Sequence, residues 1–326
     1  MTGFTEDEVV TAIRRLLTAE SPGVTLGVGD DAALVEFGEH VGVLTTDMLV
    51  EGVHFDRSVQ SARDLGWKAL TVNVSDVAAM GGSPRFGLVS LGLPEDTELS
   101  WVVELYGGLL EAAGEYGLAL VGGDTNRSER VIVSVTVTGE TATPVTRAGA
   151  RPGDAIVVTG SLGAAAGGLV LSREVPARGA AGRHELLQAL ARPVARVGEG
   201  LTLAQAGATA MIDVSDGLAK DVGRLSDESS VCAAIRLSDI PVDEALRDAA
   251  LPGDPLDLAL HGGEDYELVA TLPGPAVEDA AGKMWDRFGT RLTEIGEVRE
   301  GRGLVAVGPD GSERPMEVRG WDHFGG

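Results

Sequence analysis

The strongest constraint on the fold is that strand-like and helix-like segments alternate in two sets, separated by one segment rich in Pro and Gly. The separating segment is TPVTRAGARPGD (143–154). Before it, the residue patterns predict helices over 5–17, 62–80 and about 98–116, and strands over 41–47, 86–93, 117–125 and 129–140. After it, a second set begins with AIVVT (155–159). The sequence therefore predicts two α/β domains, residues 1–142 and 143–326.

The sheets of these domains are expected to be mixed, in the α+β manner. Helices and strands do not follow one another in strict βαβ order, and ERVIVSVTVTGE (129–140) alternates as an antiparallel strand does. The second set contains the strand-like ATAMIDVSD (208–216), then the segment LALHGGEDYELVATL (258–272) and a final set of short strands. A length of 326 residues and a hydrophobic content of 44% are sufficient for two cores of ordinary size.

The charge balance excludes two classes of partner. Fifty Asp and Glu residues against 26 Lys and Arg residues give a net charge of −24. Such a surface repels both a nucleic-acid backbone and an anionic membrane. We therefore expect neither partner.

The remaining composition is typical of a cytoplasmic enzyme. The lone Cys232 has no second cysteine with which to form an intramolecular disulfide, and the N-terminus MTGFTEDEVV has no basic segment followed by an apolar one. The uncharged segment 155–172 approaches the length of a membrane span, but its middle consists of Thr, Gly, Ser and Ala. A strand, a Gly turn and a small-residue helix explain it better.

Acidic residues recur where apolar runs end, each in a short motif with Gly, Ser or Thr. They are Asp30, Asp31, Asp47, Asp76, Asp124, Asp213, Asp216 and Glu264. Any one of them is explained as a helix cap or a turn residue. Their number instead favours Mg²⁺, which is usually held by a few carboxylates together with substrate phosphates. The calcium loop D-x-[DN]-x-[DN]-G is absent from the sequence.

The stretch GVGDDAA (27–33) fits the dinucleotide-binding pattern G-x-G-x-x-A, but we interpret this match as chance. The preceding Val24, Thr25 and Leu26 are too few to predict a strand, and two acids would repel a pyrophosphate. The sequence also lacks G-x-x-x-x-G-K-[ST], so metal ions would have to replace the lysine of that loop. We therefore predict that Asp30 binds Mg²⁺. Asp31 is interpreted as a cap of the turn, with a metal role left open.

Two basic residues have alternative interpretations. For His54, in EGVHF, packing is favoured over contact with a substrate, because a single His in apolar surroundings is usually a packing residue. Arg147, in the segment between the two sets, is either a solvated charge or a clamp for phosphate oxygens.

Taken together, the motifs resemble the thiamine-monophosphate kinase family, within the superfamily of ATP-using enzymes that share the fold of aminoimidazole ribonucleotide synthetase. The matching segments, in chain order, are GVGDDAA, TTDMLVEGVHF, DLGWKALTVNVSDVAAMGGSP, LVGGDTNRS, TRAGARPGD, VTGSLGAAAGGL, IDVSDGLAKD, LHGGEDYEL, IGEV and GWDHF. They cover nearly all of residues 4 to 324. The order of DMLVEGVHF, NVSDVAAMG, HGGEDYEL and GWDHF is the most specific part of the resemblance.

The resemblance implies roles for individual positions. Positions similar to the family's magnesium ligands are Asp30, Thr45, Thr46, Asp47, Asp76, Asp124, Asp213 and Asp216. Positions similar to its ATP contacts are Tyr106, Gly123, Asp124, Arg147 and Ser215, of which Tyr106 lies in the least distinctive segment. Positions similar to its contacts with the substrate are His54, Glu264 and Trp321.

The resemblance also implies an activity and an assembly. The activity is Mg²⁺-dependent transfer of the γ-phosphoryl group of ATP to thiamine monophosphate, and the assembly is a homodimer formed through the N-terminal sheets. Two alternatives stay open at this point. One is an enzyme of the same superfamily with another acceptor, such as a formylglycinamidine, a carbamoyl-derived group or selenide. The other is a non-catalytic acidic protein that binds metal or nucleotide.

Overall fold

The computed structural model describes residues 5–17, 22–38, 40–173 and 182–319. The N-terminal half contains α1 (Glu6–Leu16), β1 (Val24–Leu26), β2 (Ala33–Phe37), β3 (His40–Val50), α2 (Ala62–Ala79), β4 (Ser83–Leu93), α3 (Leu99–Tyr116), β5 (Ala119–Arg127) and β6 (Ile132–Thr141). The C-terminal half contains β7 (Asp154–Thr159), α4 (Ala164–Arg173), α5 (Arg183–Ala191), α6 (Val197–Gln205), β8 (Ala210–Asp213), α7 (Leu218–Ser229), β9 (Cys232–Arg236), α8 (Glu244–Asp248), α9 (Pro255–His261), β10 (Leu268–Pro273), α10 (Gly274–Phe288), β11 (Leu292–Arg299), β12 (Gly303–Val307) and β13 (Glu313–Pro315).

The N-terminal half is a mixed sheet whose inner face is covered by helices. Its strands lie in the order β1-β2-β3-β6-β4-β5, and all neighbours are antiparallel except β4 and β5. Helix α2 packs against β3, β4 and β6, and α3 packs against α2. The two helices cross closely at Gly108, where a Cβ would lie 1.7 Å from the carbonyl oxygen of Arg63. Only glycine allows this approach of the two backbones.

The opposite face of this sheet, which we call the outer face, stays open in the single chain. Met48, Phe86 and Leu88 lie on it and are 54%, 54% and 45% exposed. The edge strand β5 is exposed as well, with Val121 at 59%. Large apolar side chains grouped on one face in this way mark a surface suited to association.

The C-terminal half is a second mixed sheet with apolar side chains on both faces. Its strands lie in the order β13-β12-β9-β11-β7-β10-β8, and all neighbours are antiparallel except β9 and β12. Ile156 and Val158 of β7 belong to one core cluster and Val157 to another, as expected for alternating side chains of a central strand. Every residue of β7 is buried.

Helix α2 belongs to both halves. Its residue Ala79 packs in the same apolar cluster as Met211 and Leu268 of the C-terminal sheet. A Cβ on Gly200 of α6 would lie 2.3 Å from the carbonyl oxygen of Ala78, so α6 and α2 also meet backbone to backbone. The two sheets are therefore joined through one buried helix.

The predicted elements are largely confirmed. The observed α1, α2, α3, β4 and β6 match the predicted segments to within a few residues, and Thr5 caps α1 through a capping box with Glu8. In the segment 258–272, residues 258–261 end α9, and the strand β10 begins only at Leu268. The segment 155–172 forms β7, a turn and part of α4. Among the described residues, no helix is long and apolar enough to cross a bilayer.

Candidate active site

Three carboxylates from three different elements meet between the two sheets. Asp31 precedes β2, Asp76 lies in the last turn of α2, and Asp213 is the last residue of β8. Each offers a carboxylate oxygen, and these oxygens all lie within 4.8 Å of one another. We call this group the acidic cluster.

Hydroxyl groups orient two of these carboxylates. Thr45 donates its hydroxyl to Asp76 Oδ2 at 2.5 Å, and Ser75 donates its hydroxyl to Asp213 Oδ2 at 2.6 Å. Ser75 and Asp76 are neighbours on α2, so this helix supplies one carboxylate and orients another. The cluster therefore depends on α2 packing against β3 and β8.

Burial and mutual repulsion make the acidic cluster costly to ionise. Burial raises the pKa of Asp76 well above its ordinary value, and the charges of Asp47, Asp213 and Asp31 raise it further. Burial, followed by the charge of Asp31, likewise raises the pKa of Asp213. Hard oxygen donors held this close without enough positive charge are suited to a divalent cation such as Mg²⁺.

Arg147 supplies part of the missing positive charge. Its Nη2 donates to Asp31 Oδ1 at 2.6 Å and its Nε to Asp31 Oδ2 at 3.3 Å, while its backbone N–H donates to Asp30 Oδ2 at 3.0 Å. Burial would lower the pKa of the guanidinium, but the charges of Asp31 and Asp30 outweigh it and raise the pKa. The structure excludes a solvated linker charge, whereas a phosphate contact of Arg147 stays a prediction.

The two adjacent acids of GVGDDAA have different surroundings. Asp31 points into the acidic cluster. The Asp30 carboxylate is bound by the Arg147 backbone, and burial followed by the charge of Asp31 raises its pKa to about 6. The sequence leaves the role of Asp31 open, because it does not indicate which of two adjacent side chains faces inward. The loop joins antiparallel strands β1 and β2, so it is not the strand-to-helix turn of a dinucleotide site.

The threonines before Asp47 divide between the two faces of β3. Thr45 is bonded to Asp76, and the charge of Asp47 raises the pKa of Asp76, so both lie on the inner face. The Thr46 hydroxyl lies instead on the outer face, 3.0 Å from the hydroxyl of Thr136 on the neighbouring strand β6. Alternation along a strand accounts for this difference. The structure does not bring the Thr46 hydroxyl to the acidic cluster.

Asp124 and Gly123 lie away from the acidic cluster, on the exposed edge strand β5. Residues paired across neighbouring strands have their side chains on the same face of a sheet. Asp124 of β5 pairs with Ser90 of β4, Ser90 pairs with Ser134 of β6, and Ser134 pairs with Met48 of β3. Asp124 is therefore on the outer face, like Met48. Three strand spacings, roughly 14 Å, separate it from β3. A single chain therefore does not bring Asp124 together with Asp76 and Asp213.

The loop after β8 lies beside the loop that carries Glu264. Asp216 pairs with Lys220 at 2.9 Å and with Arg224 at 2.8 Å. The carbonyl of Ser215 accepts a bond from the Glu264 backbone N–H at 2.8 Å. The sequence analysis missed the buried Asp221, which accepts bonds from the backbone N–H groups of residues 216 and 217 and so shapes this loop.

Burial, followed by the charge of Asp216, raises the pKa of Asp221 to about 7. Acidic residues are common in the first turn of a helix, so the position of Asp221 in α7 does not distinguish it in the sequence.

The other predicted residues have separate surroundings. His54 accepts a bond from the Val50 backbone N–H at its Nδ1, 3.0 Å away, which gives it a role in the turn after β3. Tyr106 of α3 is half-buried against the core of the N-terminal half. Trp321 lies outside the described residues.

Comparisons with known proteins agree with this fold. The family description "AIR synthase related protein, N-terminal domain" matches residues 29–141, and "AIR synthase related protein, C-terminal domain" matches residues 151–308. The chain is therefore a member of the AIR synthase related proteins.

Curated relatives narrow this class. The thiamine-monophosphate kinase of Aquifex aeolicus is 40% identical over 299 residues, covering 91% of this chain and 92% of the relative. The thiamine-monophosphate kinase of Pyrococcus horikoshii is 34% identical, and the match covers 100% of this chain and 98% of the relative. The solved structure described as "AaThiL complexed with AMPPCP and TMP" has a TM-score of 0.87 and 37% identity, covering 99% and 98% of the two chains. The chain belongs to the thiamine-monophosphate kinase family.

We predict that Asp213→Asn stabilises the metal-free protein as the pH rises. The pKa of Asp213 is raised in the folded state, so its stabilising contribution is present at low pH and is lost as pH rises through the folded pKa. Asn copies the neutral carboxyl at every pH. In chelator-treated protein, the gain in the free energy of unfolding over the wild type should be larger at pH 8 than at pH 5 by about 1 kcal/mol or more, because the wild type continues to lose stability as the pH rises from the ordinary Asp pKa through the raised folded pKa.

Denaturant titrations at both pH values measure this difference. Asp279→Asn, at an exposed position of α10, serves as the matched control and should leave the pH dependence unchanged. A stability difference between Asp213→Asn and the wild type that is the same at pH 5 and pH 8 would contradict the prediction.

Proposed function

We propose that the chain is a thiamine-monophosphate kinase, which transfers the γ-phosphoryl group of ATP to thiamine monophosphate and produces thiamine diphosphate and ADP. The observation that carries this proposal is the whole-chain similarity to relatives of that name and to a structure that contains AMPPCP and TMP. The acidic cluster between the sheets supplies the chemical reason. Both substrates carry phosphate groups, and the chain offers carboxylates where metal-bound phosphates could meet.

The reaction needs alignment and charge compensation more than a side chain that moves a proton. The acceptor is a phosphate oxygen, which is largely deprotonated at neutral pH and can attack directly. Two phosphate groups brought within about 4 Å repel each other by several kcal/mol at an intermediate dielectric constant. Charge compensation at the meeting point is therefore the main requirement.

We propose that Mg²⁺ is the required cation, held by Asp31, Asp76 and Asp213 together with Asp30 and Asp47. When bound, Mg²⁺ would neutralise phosphate oxygens and the developing charge of the transferred group. The chain's own groups prepare this site. Thr45 and Ser75 orient two carboxylates, and Arg147 holds Asp31 by two bonds from a planar guanidinium.

The remaining assignments from the resemblance are part of the same proposal. They are magnesium binding by Thr45, Thr46, Asp124 and Asp216, ATP binding by Tyr106, Gly123, Asp124, Arg147 and Ser215, and substrate binding by His54, Glu264 and Trp321. The division into domains 1–142 and 143–326 is proposed with them. The cytoplasmic location stays a prediction.

Direct assay of the reaction tests the proposed function. Purified protein with Mg²⁺, ATP and thiamine monophosphate should form thiamine diphosphate and ADP, measured by chromatography. Asp47→Asn and Asp213→Asn should each lower turnover at least about 100-fold while staying folded, because they remove metal-binding charge and not core packing. Asp279→Asn should keep wild-type turnover.

Two results would contradict this account. Absence of thiamine diphosphate with the wild-type protein would overturn the kinase proposal in favour of another acceptor or a non-catalytic role. Full turnover of both Asp47→Asn and Asp213→Asn at saturating Mg²⁺ would overturn the ligand assignment.

We also propose that the chain forms a homodimer through the outer face of its N-terminal sheet. The exposed Phe86 and Leu88 on β4 and the exposed edge strand β5 support this arrangement. The position of Asp124 supports it as well, since this residue lies on the outer face, remote from the acidic cluster of its own chain. A partner chain would cover that face.

Light scattering at micromolar concentration measures the mass of the assembly. We expect about twice the chain mass of 33.6 kDa. Leu88→Glu should give monomers, because it places a charge inside the proposed interface. Trp285→Glu, at a 60% exposed position on α10, should leave the mass unchanged. A monomeric wild-type protein would remove the proposal.

A further inference from the structure

Lys68 is a buried cation to which neither the motifs nor the acidic cluster assign a role. It lies on α2, and its side chain is 1% exposed. Its Nζ is 2.6 Å from Glu264 Oε1, on the loop between α9 and β10. A buried ammonium is strongly unfavourable unless it is paired, so the Lys68 side chain and the Glu264 carboxylate constrain each other's position.

The backbone of the Glu264 loop is held in an unusual conformation. Glu264 has φ +70° and Tyr266 has φ +52°, in the left-handed region that non-glycine residues rarely adopt because it is sterically unfavourable. Two backbone bonds offset this cost: the N–H of Glu264 donates to the Ser215 carbonyl at 2.8 Å, and that of Tyr266 donates to the Val214 carbonyl at 2.9 Å. The loop is thereby attached to the segment that follows Asp213.

This conformation sends neighbouring side chains in different directions. The buried Asp265 accepts a bond from the Gly163 backbone N–H at 2.8 Å and fixes the loop to the start of α4. Glu264 instead keeps 29% of its side chain exposed. Burial raises the pKa of Tyr266, and the charges of Glu264, Asp47 and Asp213 raise it further, so the loop lies beside the acidic cluster.

The same helix thus fixes Glu264 and the acidic cluster. Lys68 and Asp76 are eight residues apart on α2, which is about 12 Å along the helix axis. One end of this span carries the ion pair with Glu264, and the other carries Asp76 and the bond from Ser75 to Asp213. A rigid helix between them sets the distance from Glu264 to the place where phosphates would bind.

We propose that Lys68 is a positioning residue that holds the Glu264 carboxylate where it binds the organic part of thiamine monophosphate. The proposal rests on the proposed kinase function. Thiamine carries a cationic ring and an amino group, and a fixed carboxylate can face the first or accept a bond from the second. Lys68 itself is too deeply buried to touch the substrate, so it acts through Glu264.

Lys68→Met tests this role, because Met keeps the length and removes the charge. We expect the KM for thiamine monophosphate to rise about tenfold or more, with the KM for ATP unchanged and kcat within about twofold. Lys283→Met, an exposed lysine paired with Asp279 on α10, is the matched control and should change none of these values.

The double variant Lys68→Met/Glu264→Gln decides whether Lys68 acts through Glu264. If it does, the double variant should have the same KM for thiamine monophosphate as Glu264→Gln alone, because the two losses are one interaction. The double variant leaves no unpaired charge at this position, and in Glu264→Gln the amide oxygen can still accept a bond from the Lys68 ammonium, so this comparison does not depend on the folding of Lys68→Met. A double variant whose two losses multiply would overturn the proposal.

Two further results would also overturn it. One is a folded Lys68→Met with an unchanged KM for thiamine monophosphate. The other is an equal change in both KM values, which would indicate a general structural role. If the wild type binds thiamine monophosphate without turnover, the kinase function fails, but the role of Lys68 can still be tested by calorimetry of the same variants. A higher Kd for thiamine monophosphate in Lys68→Met than in the wild type would support the proposal. An unchanged Kd would overturn it.

Discussion

The repulsion among carboxylates brought together between two sheets is the interaction on which the rest of this structure depends. The carboxylate oxygens of Asp31, Asp76 and Asp213 lie close enough to share one cation, and burial raises the pKa of both Asp76 and Asp213. Such a cluster opposes folding unless positive charge compensates it. Arg147 supplies some of that charge, and the proposed Mg²⁺ would supply the rest.

Helix α2 is the element that makes this arrangement possible. It is buried along most of its length and contacts both sheets. It also carries Lys68, which pairs with Glu264, and Ser75 and Asp76, which belong to the surroundings of the acidic cluster. Because apolar packing holds this helix in place, the helix fixes the distances between the charged groups that it carries. The favourable packing of the two apolar cores that enclose α2 therefore offsets the electrostatic cost of the site.

The sequence was sufficient to predict most of the fold, because periodicity and turn residues are local signals. The bounds of α1, α2 and α3 follow from caps and apolar spacing, and the strands β4 and β6 follow from alternation. The segment 258–272 was harder, because its helix and strand are joined by HGGEDYE, whose conformation depends on bonds to Ser215 and Val214. Such tertiary bonds leave no local pattern.

The candidate site was predictable in its residue types and less so in its geometry. The recurrence of Asp beside Gly, Ser and Thr indicated a metal site, but only the structure distinguishes Asp31 from Asp30 and places the Thr46 hydroxyl on the opposite face of β3. The remoteness of Asp124 was equally invisible, since it depends on the strand order of the N-terminal sheet.

Anomalous diffraction of Mn²⁺, used in place of Mg²⁺ in crystals grown with a non-hydrolysable ATP analogue and thiamine monophosphate, shows directly whether the carboxylates of the acidic cluster bind the metal. We expect anomalous peaks at metal-ligand distance from the carboxylates of Asp31, Asp76 and Asp213, with phosphate oxygens beside the same peaks. Bound nucleotide with no metal peak at these three carboxylates would contradict the proposed metal site.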